Sequence, residues 1–352
     1  MFNIVSTSII IPVLFASISA FLAITLLRPY AISINLTDNP NDRKLHSGSV
    51  PLIGGVAMFF AIVVSILVLP NDSYDFNYFL LASMILIVIG VLDDYREISV
   101  TLRLLSQGLV ALIIISGGNL SILSVGNLFA TGEILLNGWS YFITVIAIIA
   151  AINAVNMADG IHGLAAGNSL ITFIAILLLS FGKMSHQDLW IPLLFCSVLP
   201  VFLIYNLCLG VPKSKRIFMG DAGSMFLGMA IVWLLLDFSQ GENLIFKPVT
   251  ALWIFSVPLI DMVAVFTRRL VSGTSPFKAD ISHMHHILLC QGFKQRNVLQ
   301  IILLFSLLMA VVGILGEQFH APEWVMLLGF LMTFVVYSFW SKAAIRNIQI
   351  HS

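Results

Sequence analysis

Two adjacent acids, Asp93 and Asp94, end a stretch, "FLLASMILIVIGVL", that carries no charge at all. Like charges side by side raise one another's affinity for protons unless a cation or a metal neutralises them, so a bare pair there asks for a cationic partner. Farther along, "NAVNMADGIHGLAAG" (153–167) supplies Asn156 and Asp159, and "KRIFMGDAGS" (215–224) supplies Asp221. Carboxylates and an amide are hard oxygen donors of the kind magnesium takes. Arg103, nine residues beyond Asp94, and the run "RRLVSGTSPFKADISHMHHILLCQGF" (268–293), with Arg268, Arg269, His283, His285 and His286, add groups suited to phosphate oxygens. That combination belongs to phosphoryl transfer. A divalent ion bridging a diphosphate neutralises charge on the leaving phosphate, and cationic side chains hold the attacking and leaving oxygens in line.

Each group also has a plainer reading. Acids at the end of a membrane span cost far less than the roughly 2.5–3.5 kcal/mol of a charge at mid-bilayer, so Asp93 and Asp94 are compatible with a simple boundary. Asp159 and Asp221 stand just before apolar runs, at expected N-cap-like positions, where an acid caps a helix or the helix start cradles phosphate. "HMHH" lacks a Cys or a fourth ligand at zinc-like spacing, so a zinc centre is not expected.

The elements that must position these groups are membrane helices. Charged residues make up 10% of the 352 and hydrophobic residues 59%, with a mean hydropathy of +1.02. A soluble domain carries about 25% charged residues, so this composition excludes one. Apolar runs long enough to cross a core of about 30 Å recur from end to end. Eleven spans are expected, at 4–27, 51–69, 78–92, 101–117, 139–155, 164–181, 189–210, 222–237, 249–267, 298–316 and 323–341, in one all-α integral domain covering 1–352. No Lys or Arg precedes Arg28, so the first stretch lacks the basic front of a cleavable signal and is read as a span. Of the 17 Lys and Arg, all but Lys183 and Lys247 fall on one side if the first span ends inside. The positive-inside rule then puts the N-terminus in the periplasm and the C-terminus in the cytoplasm. It also puts "NDRKLHSGSVPLIGG" (41–55), "DDYREISVTLR" (93–103) and the three motifs above on the cytoplasmic face, where they must meet if they form one site. The outer segment "LSILSVGNLFATGEILLNG" has room for a small hairpin. The odd count of three cysteines, Cys196, Cys208 and Cys290, argues against disulfides and for small buried hydrophobes.

In this order, "LDDYREISV", "NAVNMADGIHGLAAG", "IFMGDAGS" and "PLIDMVAVFTRRLVSGTSPFKADISHMHHILLCQGF" resemble the polyprenyl-phosphate N-acetylhexosamine-1-phosphate transferase family, from about residue 35 to 340. The resemblance implies a multispanning enzyme of the bacterial inner membrane, working with magnesium or manganese. It implies transfer of N-acetylglucosamine 1-phosphate from its uridine diphosphate donor to undecaprenyl phosphate, with release of UMP, as the first membrane step toward O-antigen or enterobacterial common antigen. By the same resemblance Asp93 and Asp94 match the acidic pair near the lipid phosphate and Arg103 a phosphate-binding cation. Asn156 and Asp221 match magnesium ligands, and Asp159 belongs with the catalytic acids. Phe218 matches an aromatic that stacks on uracil, with Gly160 in the substrate-binding set. Arg268, Arg269, His283, His285 and His286 match a segment that closes over sugar and diphosphate. His162 departs from the pattern, since most bacterial members read "DGIDG" there. The implied partners are lipid acceptor, nucleotide-sugar donor and membrane lipids, with self-association left open and no nucleic acid.

A phosphate monoester with a second pKa of about 6 is mostly dianionic at neutral pH and hardly needs a base, so one-step attack is expected. Double displacement through an aspartyl phosphate is the competitor. A sibling transferase for another amino sugar remains an alternative. The muramoyl-pentapeptide transferase is disfavoured, because its family usually carries three consecutive histidines. A proton-coupled transporter is the reading from another class. It would gather charges at mid-membrane, whereas spans such as 78–92, 249–267 and 298–316 hold no Asp, Glu or central Lys or Arg apart from Asp261, seven residues before Arg268.

Overall fold

The computed structural model describes residues 7–38, 48–68, 76–183, 189–241, 244–275 and 282–351. Arg43, Lys44 and Lys278, which the charge rule uses, lie outside them. The described residues form α1 (Thr7–Ser33), α2 (Gly54–Ile66), α3 (Asn77–Arg96), α4 (Val100–Ser116), α5 (Ser140–Ala158), α6 (Leu164–Ser180) and α7 (Trp190–Asn206). They continue with α8 (Gly220–Ser239), α9 (Pro248–Ile254), α10 (Ser256–Val271), α11 (Met284–Cys290), α12 (Gln295–Gln318) and α13 (Glu323–His351). Each of the expected apolar stretches contains helix among the described residues, and the chain is a multi-pass membrane protein. By length and composition, six helices among the described residues are able to cross a bilayer, or seven if the bent pair α9 and α10 counts as one span. The apolar helices α2, α4, α6 and α7 have only 13 to 17 residues. At 1.5 Å per residue, the longest of these reaches about 26 Å.

Helix α8 is the axis of the bundle. It is buried along nearly its whole length and packs against α2, α3, α5 and α6. Without aqueous contrast between helix faces, membrane helices associate by close packing, which small residues permit. Gly55 of α2 and Gly90 of α3 supply that contact. A Cβ on Gly55 would stand 2.2 Å from the Gly223 nitrogen, and one on Gly90 2.2 Å from the Ala222 Cα. Both approaches fall at the first turn of α8, where Asp221 sits.

The expected single span at 249–267 is instead two helices, α9 and α10, bent by 85°. The cause is legible in the chain. Pro258 lacks the N–H that would bond the Ile254 carbonyl, and its ring crowds that carbonyl. The freed Ile254 oxygen is satisfied from another helix, by the Thr172 hydroxyl of α6 at 2.9 Å. The start of α9 is held from outside as well, by buried Glu317 of α12. Its Oε2 accepts from the Lys247 N–H at 3.0 Å and the Thr250 hydroxyl at 2.6 Å. Glu317→Ala is expected to lower unfolding stability by about 2 kcal/mol, because a buried hydroxyl and a part-buried N–H lose their acceptor. Thermal unfolding in detergent reads that loss.

Strand is scarce. Two-residue strands β1 (Thr37–Asp38) and β2 (Val50–Pro51) pair antiparallel, and Leu52 bridges to Phe218. The outer segment does turn back on itself through an isolated Ser124–Leu135 bridge, clamped by Gln240. The cysteines are free. Cys196 and Cys208 are half-buried and Cys290 is exposed, so full burial holds for none.

Candidate active site

A cavity of about 650 Å³ opens at one end of the bundle. All five polar motifs reach its wall: Leu52 from the first, Asp93 and Asp94 from the second, Asn156, Asp159, Gly160 and His162 from the third, Phe218 and Asp221 from the fourth, and His286 from the last. The ends of α3, α5 and α7 and the starts of α8 and α12 converge there, as chain reversal at each span requires.

The acids are held by helix ends. Glu97, in left-handed conformation (φ +49°), stops α3, and Ser99 caps α4 by accepting the Leu102 N–H. Asp93 closes this turn, since its Oδ1 accepts the Ile98 N–H at 3.0 Å and its Oδ2 pairs with Arg103 Nη1 at 3.0 Å. Arg103 thus touches the site through Asp93 and does not itself line the cavity. Asp94 points the other way. It accepts the N–H groups of Asp221 (2.8 Å) and Ala222 (3.4 Å), so it caps α8 from a different helix. The expectation that Asp221 is an N-cap is corrected accordingly. The cap residue is Met219, which makes no side-chain bond, and Asp221 is the second residue of the helix, within its first turn, with its carboxylate bonded to Asn156. Asp159 likewise does not start a helix. It ends α5, and Gly163 precedes α6.

Asn156 Nδ2 donates to Asp221 Oδ1 at 2.6 Å and to Ser224 Oγ at 2.9 Å. This places both on adjoining helices, with Asp93 and Arg103 also acting on Asp221. The Asp159 carboxyl is pushed up to about 7 by burial and by the neighbouring Asp221 charge. Crowded carboxylates short of cations fit a hard divalent ion. Among the described residues no three His, Cys, Asp or Glu are gathered closely enough to hold one alone. Magnesium ordinarily completes its shell with water and substrate phosphate, so such a set still suits it.

Part of the wall is aromatic. Phe218 is pinned by its backbone, donating to the Pro51 carbonyl at 2.9 Å and accepting from the Gly54 N–H at 2.9 Å. The His162 ring stacks on it with centroids 4.9 Å apart, and Arg216 Nη1 stands 3.4 Å from His162 Nε2. The residue that departs from the familiar pattern therefore lies on the ring expected to meet a base.

The "HMHH" segment divides by position. His286 faces the cavity. His283 is buried, with Nδ1 2.8 Å from Asp261 Oδ2, while Asp261 Oδ1 accepts the Met284 N–H (2.9 Å) and the Tyr337 hydroxyl (2.5 Å). Asp261 therefore anchors the loop and does not reach the cavity. Arg268 is similarly engaged, donating to Ser341 Oγ and the Ser282 carbonyl, both at 2.8 Å. Arg269 is buried, and neither arginine lines the cavity. His285 is buried against Gly160, where a Cβ would lie 2.0 Å from its Nε2.

Burial, followed by the neighbouring His286, holds the His285 imidazole down at about 3. The unfolded chain therefore binds the extra proton first, and stability contributed by this packing is complete above about 6.5 and lost as pH falls toward 3. The unfolding midpoint of His285→Gln is expected to decline less over that window than the wild type's.

Sequence reasoning missed Thr37, Asp38, Glu97, Asn206 and Gln295, which also line the cavity. Asn206 carries the clearest signal, a lone amide ending the apolar run of α7. Its Nδ2 donates to the Ile217 carbonyl, and its buried Oδ1 lacks a protein partner.

Residues 76–239 match the model of glycosyl transferase family 4. Proteins described as undecaprenyl-phosphate alpha-N-acetylglucosaminyl 1-phosphate transferase are similar along nearly the whole chain. That of Escherichia coli is 39% identical over 342 residues, 97% of this chain and 92% of the relative. That of Yersinia pestis is 39% identical over 344 residues, again 97% and 92%. That of Haemophilus influenzae is 39% identical over 323 residues, 91% and 90%.

Proposed function

As the chain belongs to glycosyl transferase family 4, together with the undecaprenyl-phosphate transferases it resembles, we propose that it transfers N-acetylglucosamine 1-phosphate to undecaprenyl phosphate. The donor in this reading is UDP-N-acetylglucosamine and the second product UMP. The observation that carries it is the convergence of Asp93, Asp94, Asn156, Asp159 and Asp221 on a cavity that Phe218 and His162 also line. Acids and amide suit the diphosphate through a divalent ion, and the ring pair suits a base. The same reading places the enzyme in the bacterial inner membrane with the cavity toward the cytoplasm, where a soluble nucleotide sugar meets a lipid head group. Its product would open O-antigen or enterobacterial common antigen assembly.

In the proposed step an oxygen of the lipid phosphate attacks the phosphorus bonded to the sugar. The bond from that phosphorus to the bridging oxygen breaks, and UMP leaves with the electron pair. Magnesium, held by Asn156 and Asp221, would neutralise the charge that gathers on the diphosphate. Arg103, fixed by Asp93, stands ready to draw the lipid phosphate toward the reacting centre. Asp159, with its raised carboxyl, is suited to hold a proton at neutral pH. Positioning and charge neutralisation then carry the rate. Isolation of a covalent phosphosugar enzyme in the absence of lipid would overturn the one-step route.

Purified protein, undecaprenyl phosphate, magnesium and a panel of uridine-diphosphate sugars test the whole reading through UMP release. Selective release from UDP-N-acetylglucosamine is expected. Release only from another sugar would reassign the donor, and no release with any would remove the activity.

A further inference from the structure

One helical turn below the cavity lies a second polar layer. Gln107 of α4 and Asn153 of α5 are 0% and 7% exposed. Asn153 Nδ2 donates to Gln107 Oε1 at 2.6 Å and to the Ile149 carbonyl at 2.8 Å. Gln107 Nε2 in turn stands 3.7 Å from Met225 Sδ of α8. Each member sits beneath a site residue of its own helix: Gln107 four after Arg103, Asn153 three before Asn156, and Met225 four after Asp221. Residues three or four apart share a helix face, so the rotation that satisfies the lower residue also sets the direction of the upper one.

We infer that Gln107 is a positioning residue for phosphoryl transfer: its bond to Asn153 locks α4 against α5 so that Arg103 and Asn156 are aimed at the site. The inference rests on the transferase reading above. In a water-free interior an amide left without its partner is costly, so only one relative rotation of the two helices keeps both amides satisfied. Sulfur is a weak acceptor, so the amide pair carries the directional part and Met225 mainly supplies a close-packed seat. Neither amide reaches the cavity wall, so Gln107 acts through the residues above it.

The test pairs Gln107→Leu, which keeps a side chain of similar size and removes the bond, with a control that is also buried. Ser306→Ala deletes the 2.6 Å bond from Ser306 Oγ to Asn168 Oδ1 between α12 and α6, both residues buried and away from the site. Gln107→Leu is expected to lower kcat about tenfold or more, because small misplacements of reacting groups are costly, with KM for undecaprenyl phosphate changed less than about twofold. Ser306→Ala should lower the unfolding temperature while kcat stays at the wild-type value. Exchanging the arms, Gln107→Asn with Asn153→Gln, keeps the combined reach and should restore kcat to within about threefold, whereas either change alone should not. Manganese binding followed by electron paramagnetic resonance, without substrate, should weaken several-fold in Gln107→Leu and not in Ser306→Ala.

Wild-type kcat and manganese affinity in Gln107→Leu would overturn the inference, as would a loss that tracks unfolding temperature equally in both variants or a swap that fails to rescue. A wild-type protein that releases no UMP counts against the transferase reading instead, and the manganese arm then decides the positioning role by itself.

Discussion

Asp221→Asn is expected to lose about 10³-fold or more in turnover while unfolding at the wild-type temperature, a loss of the size seen when preorganised charge stabilisation is removed. The structure separates the two outcomes. The fold uses the Asp221 backbone, whose N–H donates to Asp94, and it uses the small neighbours Gly55 and Gly90 packed on that turn. An asparagine leaves all of this intact and still offers Asn156 Nδ2 an acceptor oxygen in the place of Asp221 Oδ1. What disappears is the negative charge of the Asp221 carboxylate beside Asn156, which is the part a divalent ion would use. Titration of activity against magnesium should therefore lose its saturable response. Wild-type turnover in the variant would take Asp221 out of the site.

Much of this site was legible because membrane helices separate polar from apolar residues so strictly. Asp93, Asn156, Asp159 and Asp221 stood out against uncharged runs, and the odd–even alternation of spans already required them to share one end. The limits of that reading lie in contacts between distant segments. No local pattern shows that Asp94 caps α8, 127 residues away, or that Asp261 is occupied by His283 and Tyr337. Charge alone makes ligand groups of the two arginines before the histidine loop. Arg268 proves to tie α10 to α13 and to the loop itself, a use of charge that only packing reveals. The bend at Phe255 was present in the sequence as Pro258, but hydropathy is blind to a missing N–H, and the run read as one span. Asn206 and Gln295 were passed over because a single amide at a helix end looks the same whether it faces water or a substrate.

The adjacent acids should answer differently to the same substitution. Asp94→Ala removes the acceptor for two N–H groups at the start of α8, and with it the anchor that sets the height of Asp221 against Asn156. A fall of roughly 10²-fold in turnover is expected from a displacement on the order of 1 Å, together with a lower unfolding temperature. Asp94→Asn keeps one acceptor oxygen in the same place at the start of α8. It should retain turnover within about tenfold of wild type, since its remaining oxygen can still receive the Asp221 N–H. For Asp93 no such rescue is available. Its carboxylate pairs with Arg103 in a charge-assisted bond that an amide cannot reproduce, and Asp93→Asn releases the guanidinium from the place where lipid phosphate would meet it. Measured side by side, Asn at 94 should be tolerated and Asn at 93 should not. Equal inactivation by Asn at both positions would mean that Asp94 takes a chemical part in transfer, and the division of labour drawn from its two backbone bonds would be wrong.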